Sequence, residues 1–300
     1  MQDIDSLRIN FSEDQLLLLN ICLAFIMFGI SLDLTPSDFK RIFKYPKSVI
    51  TGLTSQLVLM PVLTMFLIWI LPVQGSIALG MILAASCPGG NISNFATKLS
   101  KGNTALSITL TSFVTVFAIF TTPINFSIWA NVFDSTRGLL HSIEMNPWTM
   151  VKSVGMLILV PLLIGMFIGD RFPKFRDKIN RPIRIMSLFI FIGFIVAALF
   201  GNLSHLYAYL KIVFFIVLVH NGLALLMGYS FASLLRLPET DRRAISLETG
   251  VQNTGLGLIL VFNFFSELGG MILIVAWWGV WDLVSTLFIS LYWSKRSPKS

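Results

Sequence analysis

The stretch Leu247–Gly257, LETGVQNTGLG, decides how this chain is read. It holds the carboxylate of Glu248, the amides of Gln252 and Asn253, the hydroxyls of Thr249 and Thr254, and Gly250, Gly255 and Gly257. It lies inside a run from about Ala244 to Phe265 that is otherwise apolar and long enough to cross a bilayer. Hydrocarbon offers the backbone no water, so a glycine-broken segment at membrane depth persists only where protein or a polar cavity surrounds it. An ionisable side chain there costs about 2.5 to 3.5 kcal/mol on insertion scales and marks a functional site by default. The plainer alternative is that Glu248 lies near the helix start and is solvated at the cytoplasmic interface.

Outward from this stretch the chain is of the same kind. Over 300 residues, 55% are hydrophobic, only 12% are charged, and the mean hydropathy is +0.80. That composition excludes an ordinary soluble domain and predicts an all-α polytopic membrane protein. At about 20 apolar residues per span, the chain reads as about nine transmembrane helices. They fall at roughly 14–34, 48–71, 77–97, 103–125, 149–169, 185–203, 210–235, 243–265 and 270–293. The fourth either runs on past Pro123 or gives way to an interfacial stretch over Asn125 to Phe133. Residues Met1 to Asp14 are polar, acidic and without the basic start of a signal peptide.

The placement of Lys and Arg orients these spans. Of the 22 basic residues, only Arg8, Arg137, Lys152 and Lys211 fall on one side. The others crowd the opposite connections, from Lys40–Lys47 and Lys98–Lys101 to Arg171–Arg184, Arg236–Arg243 and Lys295–Lys299. The basic side is expected to be cytoplasmic, with the N-terminus outside and the C-terminus inside a cell inner (plasma) membrane. The same asymmetry explains the net charge of +7 without any nucleic acid. Phosphate-binding, HExxH and GxSxG motifs are lacking, so the chain does not read as an enzyme. Cys22 and Cys87 both lie in apolar segments and suggest neither a disulfide framework nor a metal centre. His220, beside Asn221 in an apolar run, suits a buried structural hydrogen bond.

A second polar interruption, CPGGNISN over Cys87–Asn94, breaks the third span. Pro88 removes a backbone donor, and Gly89 and Gly90 permit unwinding. A proline kink alone would not call for Asn91, Ser93 and Asn94 just beyond it. Two broken helices about five spans apart, in opposite membrane orientations, suggest an inverted repeat, and such segments point to the binding site of a secondary transporter. Half-helix ends bring free carbonyls and amides to the midplane, where they can hold cations and anionic groups. Ser107 and Thr111 stand four apart and present both hydroxyls on one side of the fourth span, for ligation or for interhelical hydrogen bonding. Gln56 is a lone amide in the second span. Oxygen ligands without thiols or imidazoles suit a hard ion, and neutral oxygens with one carboxylate suit Na⁺.

These motifs, together with MFGISLDLTPSDFKRIFKYPK (27–47), KGNTALSITLTS (101–112) and HNG (220–222), resemble the bile acid:sodium symporter family over nearly the whole chain. The resemblance implies one transporter unit over 1–300. Its core domain, with two crossing broken helices, would comprise about 48–133, 210–265 and 270–293. A panel domain would comprise about 14–34 and 149–203. Relatives with ten spans imply that this chain lacks the first. The resemblance further implies one sodium site from Ser93, Asn94, Ser107, Thr111 and Glu248. A second would use Gln56, Glu248 and the carbonyls of Thr249, Val251 and Gln252. Substrate positions would include Asn91 and Asn253. The chain departs from some relatives after Trp281, where Asp282 and Leu283 replace a His-Asn pair. The transported solute is therefore expected to be a small organic anion or zwitterion, bile-acid-like or smaller, with Na⁺ as coupling ion, the lipid bilayer as surroundings and no other cofactor.

Asp282 lies near the middle of the last span, too deep for a short side chain to reach bulk water. It is expected either to face the solute cavity beside Asn91 and Asn253, or to be a protonated structural group bonded to Ser285, Thr286 or a carbonyl. The alternative function is a proton-coupled or uncoupled carrier or exporter on the same fold. Arsenite exporters of this kind use a cysteine in the broken helix, and Cys87 precedes Pro88 here.

Overall fold

A computed structural model describes residues 13–32, 34, 43, 45–90, 92–143, 147–200 and 203–298. The described residues are helical with no named strand, so the protein is an all-α polytopic membrane protein. In chain order the helices are α1 (Glu13–Ser31), α2 (Pro46–Ile70), α3 (Gly75–Ser86), α4 (Ile92–Leu99), α5 (Thr104–Ala130) and α6 (Asp134–Ser142). They continue as α7 (Trp148–Arg171), α8 (Pro173–Phe200), α9 (Leu203–Leu234), α10 (Glu239–Gly250), α11 (Thr254–Phe264) and α12 (Gly269–Ser294). Among the described residues α2, α5, α7, α9 and α12 are long and apolar enough to span a membrane, judged by length and composition. The third and eighth expected spans are each two half-helices, α3–α4 and α10–α11, broken where the polar motifs fall.

Other boundaries follow from local chemistry. Helix α10 starts at Glu239, earlier than the expected span, because Pro238 cannot continue a helix backwards and Glu239 and Asp241 favour the positive N-terminal end. Helix α5 runs through Pro123 to Ala130 before turning into α6, so the stretch after Pro123 continues the helix. Within α2 the residues Ser55–Leu59 form a π turn. Pro61 lacks the N–H that would bond Leu57, and the Asn125 Nδ2 of α5 donates to the Leu57 carbonyl instead at 3.2 Å.

Packing gathers α3, α4, α5, α9, α10, α11 and α12 around the two breaks, while α1 packs on α7 and α8. The core is richest along α3, α11 and the first half of α12, where Leu79, Leu83, Leu260 and Ile274 are fully enclosed. At the end of the bundle where α4 and α12 terminate, Arg243 is buried. Its guanidinium donates to the carbonyls of Ser100 (2.7 Å), Trp293 (3.2 Å) and Arg296 (3.1 Å) and pairs with Glu239 at 3.0 Å. One side chain thus serves the C-terminal ends of α4 and α12, whose last carbonyls lack helical donors. Asp241 beside it accepts from Ser48 Oγ at 2.6 Å and Asn103 Nδ2 at 2.8 Å.

Candidate cation and solute site

The two breaks meet. Gly89 and Gln252 form an isolated antiparallel bridge. The Gly90 N–H donates to the Val251 carbonyl at 3.2 Å, and the Asn253 N–H donates to the Pro88 carbonyl at 2.8 Å. Each break therefore supplies partners for backbone groups that the other's unwinding exposes, which is what a membrane interior requires. Asn253 then caps α11, accepting the Leu256 N–H on its Oδ1 at 3.1 Å. None of the described glycines has a positive φ. Their task here is close approach: a Cβ on Gly89 would collide with Glu248 Oε1 and lie 3.1 Å from Gln56 Nε2, and one on Gly90 3.0 Å from the Gln252 carbonyl oxygen.

Glu248, in the last turn of α10, is buried to 1% exposure. This is deep inside the fold, away from the solvated interface that the plainer reading of the sequence would give it. Its Oε2 accepts from Ser93 Oγ at 2.6 Å and Ser107 Oγ at 3.2 Å, and its Oε1 accepts from Thr111 Oγ1 at 2.8 Å. Asn94 Oδ1 accepts from the same Ser107 and Thr111 hydroxyls at 2.8 and 3.2 Å. Ser93, Asn94, Ser107, Thr111 and Glu248 thus converge from α4, α5 and α10 into one oxygen-rich cluster. Thr97 joins it through Ser107 at 3.3 Å. Sequence reasoning passed over Thr97, although its spacing of three from Asn94 puts it on the same side of α4.

On the other side of Glu248 stands Gln56, in the π turn of α2. Both ends of its buried amide lack a hydrogen-bond partner, as does Gln252 Oε1. An unpaired buried amide costs about 1 to 3 kcal/mol, and π turns concentrate at functional sites, so these orphaned atoms could hold a ligand. Around them, Gln252 Nε2 donates to the Thr249 carbonyl at 2.9 Å, and the Ser55 and Thr249 hydroxyls share a bond at 2.8 Å. Asn91 lies outside the described residues.

Asp282 is also buried. Its Oδ2 accepts the backbone N–H of Gln252 at 3.0 Å and its Oδ1 accepts from Asn221 Nδ2 at 3.1 Å. Ser285 Oγ reaches the Asp282 carbonyl at 3.5 Å, not its carboxylate. His220 shares a hydrogen bond with Thr64 at 2.8 Å and stands edge-on to Trp278, as a structural histidine would.

Beside the oxygen cluster a cavity of about 900 Å³ opens between α4 and α12 on one wall and α1 and α8 on the other. Its lining is mainly apolar, with Phe95 and Leu287 prominent. Lys98 is the charged side chain among the described lining residues, and Asn94, Thr286 and Ser290 add polar atoms. The Thr286 and Ser290 hydroxyls are buried without partners.

A helical membrane protein whose two interrupted helices cross at a buried carboxylate, beside a solute-sized cavity, is built as a secondary transporter. The chain belongs to the Sodium Bile acid symporter family, whose pattern its residues 20–208 match. It is 32% identical over 281 residues to the uncharacterized sodium-dependent transporter YocS of Bacillus subtilis, covering 94% of this chain and 84% of that protein. It is 29% identical to the probable sodium/metabolite cotransporter BASS2, chloroplastic, of Oryza sativa, over 83% of this chain and 58% of the relative. With the sodium/bile acid cotransporter 5 of Rattus norvegicus it shares 28% identity, over 88% of this chain and 59% of the relative. The chain thus spans most of the bacterial relative and somewhat more than half of the plant and rat ones. Membership makes it a multi-pass transporter of a sodium-coupled family, not an enzyme.

Proposed function

We propose that the chain is a symporter that couples two sodium ions to the movement of a small organic anion, bile-acid-like or smaller, by alternating access. The observation that carries this reading is Glu248 standing between two sets of oxygen donors. On one side are Ser93, Asn94, Ser107 and Thr111. On the other is the unpartnered Gln56 amide, with the carbonyls of Thr249, Val251 and Gln252 in the adjoining break. One carboxylate shared by two monovalent cations keeps the buried charge low, and neutral oxygens suit a hard ion.

The anionic character of the solute is supported by Lys98 in the cavity and by two half-helix N-termini, at Ile92 and Thr254, that meet at the crossing. Asn253, at the start of α11, and Asn91, next in sequence before Ile92, are assigned to the solute. Asn94 gives a physical basis for coupling, since it lines the cavity while its Oδ1 belongs to the Glu248 cluster. The helices from about 48–133, 210–265 and 270–293 form the core, and those from 14–34 and 149–203 form the panel against which it rocks. In this reading the cavity opens to the cytoplasm, where Lys98 lies, with the N-terminus outside an inner membrane.

Thermal unfolding of the purified protein in Na⁺ against K⁺, with organic anions and zwitterions screened in each, tests this. Stabilisation by Na⁺ alone, strengthened by an anion, is expected. Equal stabilisation by K⁺, or uptake into vesicles that ignores the sodium gradient, would overturn it in favour of a proton-coupled or uncoupled carrier.

A further inference from the structure

Asp282 sits in α12 with its helix neighbours Leu283, Thr286 and Leu287 turned to the cavity, while its own carboxylate turns to the break between α10 and α11. In an unbroken helix the Gln252 N–H would bond the carbonyl of Glu248, four residues back. Here that N–H goes to Asp282 Oδ2 at 3.0 Å. The Gly250 carbonyl, which an unbroken helix would pair with Thr254, accepts instead from Asn221 Nδ2 at 2.9 Å, and the Thr254 N–H turns back to the Gln252 carbonyl at 2.9 Å. The same Asn221 nitrogen donates to Asp282 Oδ1 at 3.1 Å. Gly250 and Asp282 both present oxygen acceptors at that point, so only the amide nitrogen of Asn221 satisfies them. Asp282 and Asn221 together take up a donor and an acceptor that would otherwise re-form the helix.

We infer that Asp282, with Asn221, is a positioning residue that holds residues 251–253 unwound, so that the carbonyls beside Gln56 turn out of helical register and can bind the second sodium ion. This rests on the two-sodium reading above. Asp282 touches neither ion nor solute in this role. It acts through the backbone of Gln252, as outer groups around metal ligands do when they fix the ligands' orientation.

Sodium titrations of thermal stability and of uptake separate the possibilities. Asp282→Ala is expected to raise the sodium concentration for half-maximal effect about tenfold or more, in the range for loss of an orienting group, and to carry the Hill coefficient from near two toward one. Asp282→Asn keeps an oxygen for the Gln252 N–H and should restore much of the native response. Asn221→Ala should shift it in the same direction as Asp282→Ala, and these two milder variants carry the test if Asp282→Ala does not fold. Combined with Gln56→Ala, the Asp282 change should add little, because both act on one site; combined with Thr111→Ala, the effects should add. A native sodium midpoint and Hill coefficient in Asp282→Ala, with only solute preference altered, would overturn this inference and leave the two-sodium reading standing. A native protein indifferent to sodium would overturn both.

Discussion

The Asn253 N–H donates to the Pro88 carbonyl at 2.8 Å, joining the second break of the chain to the first. With the Gly90 to Val251 bond it makes a two-bond antiparallel contact at the crossing. Neither half-helix pair could leave its unwound backbone in hydrocarbon alone, so the two breaks depend on one another.

Gly89 sits at that crossing, bridged to Gln252. Gly89→Ala would press a methyl group against Glu248 Oε1 and bring it to 3.1 Å from Gln56 Nε2. The backbone there tolerates alanine, since its φ is not positive. The variant is expected to fold in K⁺ yet show little sodium-dependent stabilisation or uptake, measured by thermal unfolding and vesicle transport.

Glu248→Gln keeps the shape of the side chain and removes the charge common to both proposed sites. Sodium at 100 times its dissociation constant stabilises a binding protein by about 2.7 kcal/mol. Most of that increment should vanish in the variant, while stability in K⁺ changes much less. An unaltered sodium response would remove Glu248 from the site.

Gln56→Ala and Thr111→Ala act on opposite sides of Glu248. Each should lower the Hill coefficient of sodium-driven uptake from about two toward one, as expected when one of two coupled sites is lost. Hyperbolic sodium dependence in the native protein would mean a single coupling ion.

Lys98 is exposed at the cavity and stands apart from the Glu248 cluster. Lys98→Gln should raise the KM for an anionic solute by up to about fivefold, the range for a solvent-screened ion pair of about 0.2 to 1 kcal/mol. Sodium stabilisation measured without solute should be unchanged. A zwitterionic solute gripped elsewhere would leave KM as it is.

Arg243→Met strands the carbonyls of Ser100, Trp293 and Arg296 and leaves Glu239 without its closest cationic partner. Loss of one partner from such a buried pair costs about 3 to 5 kcal/mol. Arg243→Lys should recover only part of this, since an ammonium cannot match the guanidinium fork. Thermal unfolding in sodium-free buffer reads both.

The class of protein was written in the chain because bilayer crossing is a local demand. Each span must be apolar along its own length, and each break must carry its own glycines and polar groups. Pro88 with Gly89–Gly90, and Gly250 with Gln252–Asn253, therefore marked the interruptions, and the spacing of four between Ser107 and Thr111 put two hydroxyls on one side of α5. The π turn at Ser55–Leu59 was half visible in Pro61, which disturbs the helix around Gln56. What the chain alone left open was which groups those residues meet. Ser93 and Glu248 are 155 residues apart, and Asp282 reaches Gln252 across 30. For Asp282 the sequence allowed either a cavity-facing carboxylate or a structural one bonded nearby, because depth in a span says that a carboxylate needs partners without naming them. The partners came from α9 and from the break in the eighth span. Side-chain periodicity reports only which side of its own helix a residue occupies. The packing of α4, α5, α9, α10 and α12 about the crossing decided which of those sides face each other.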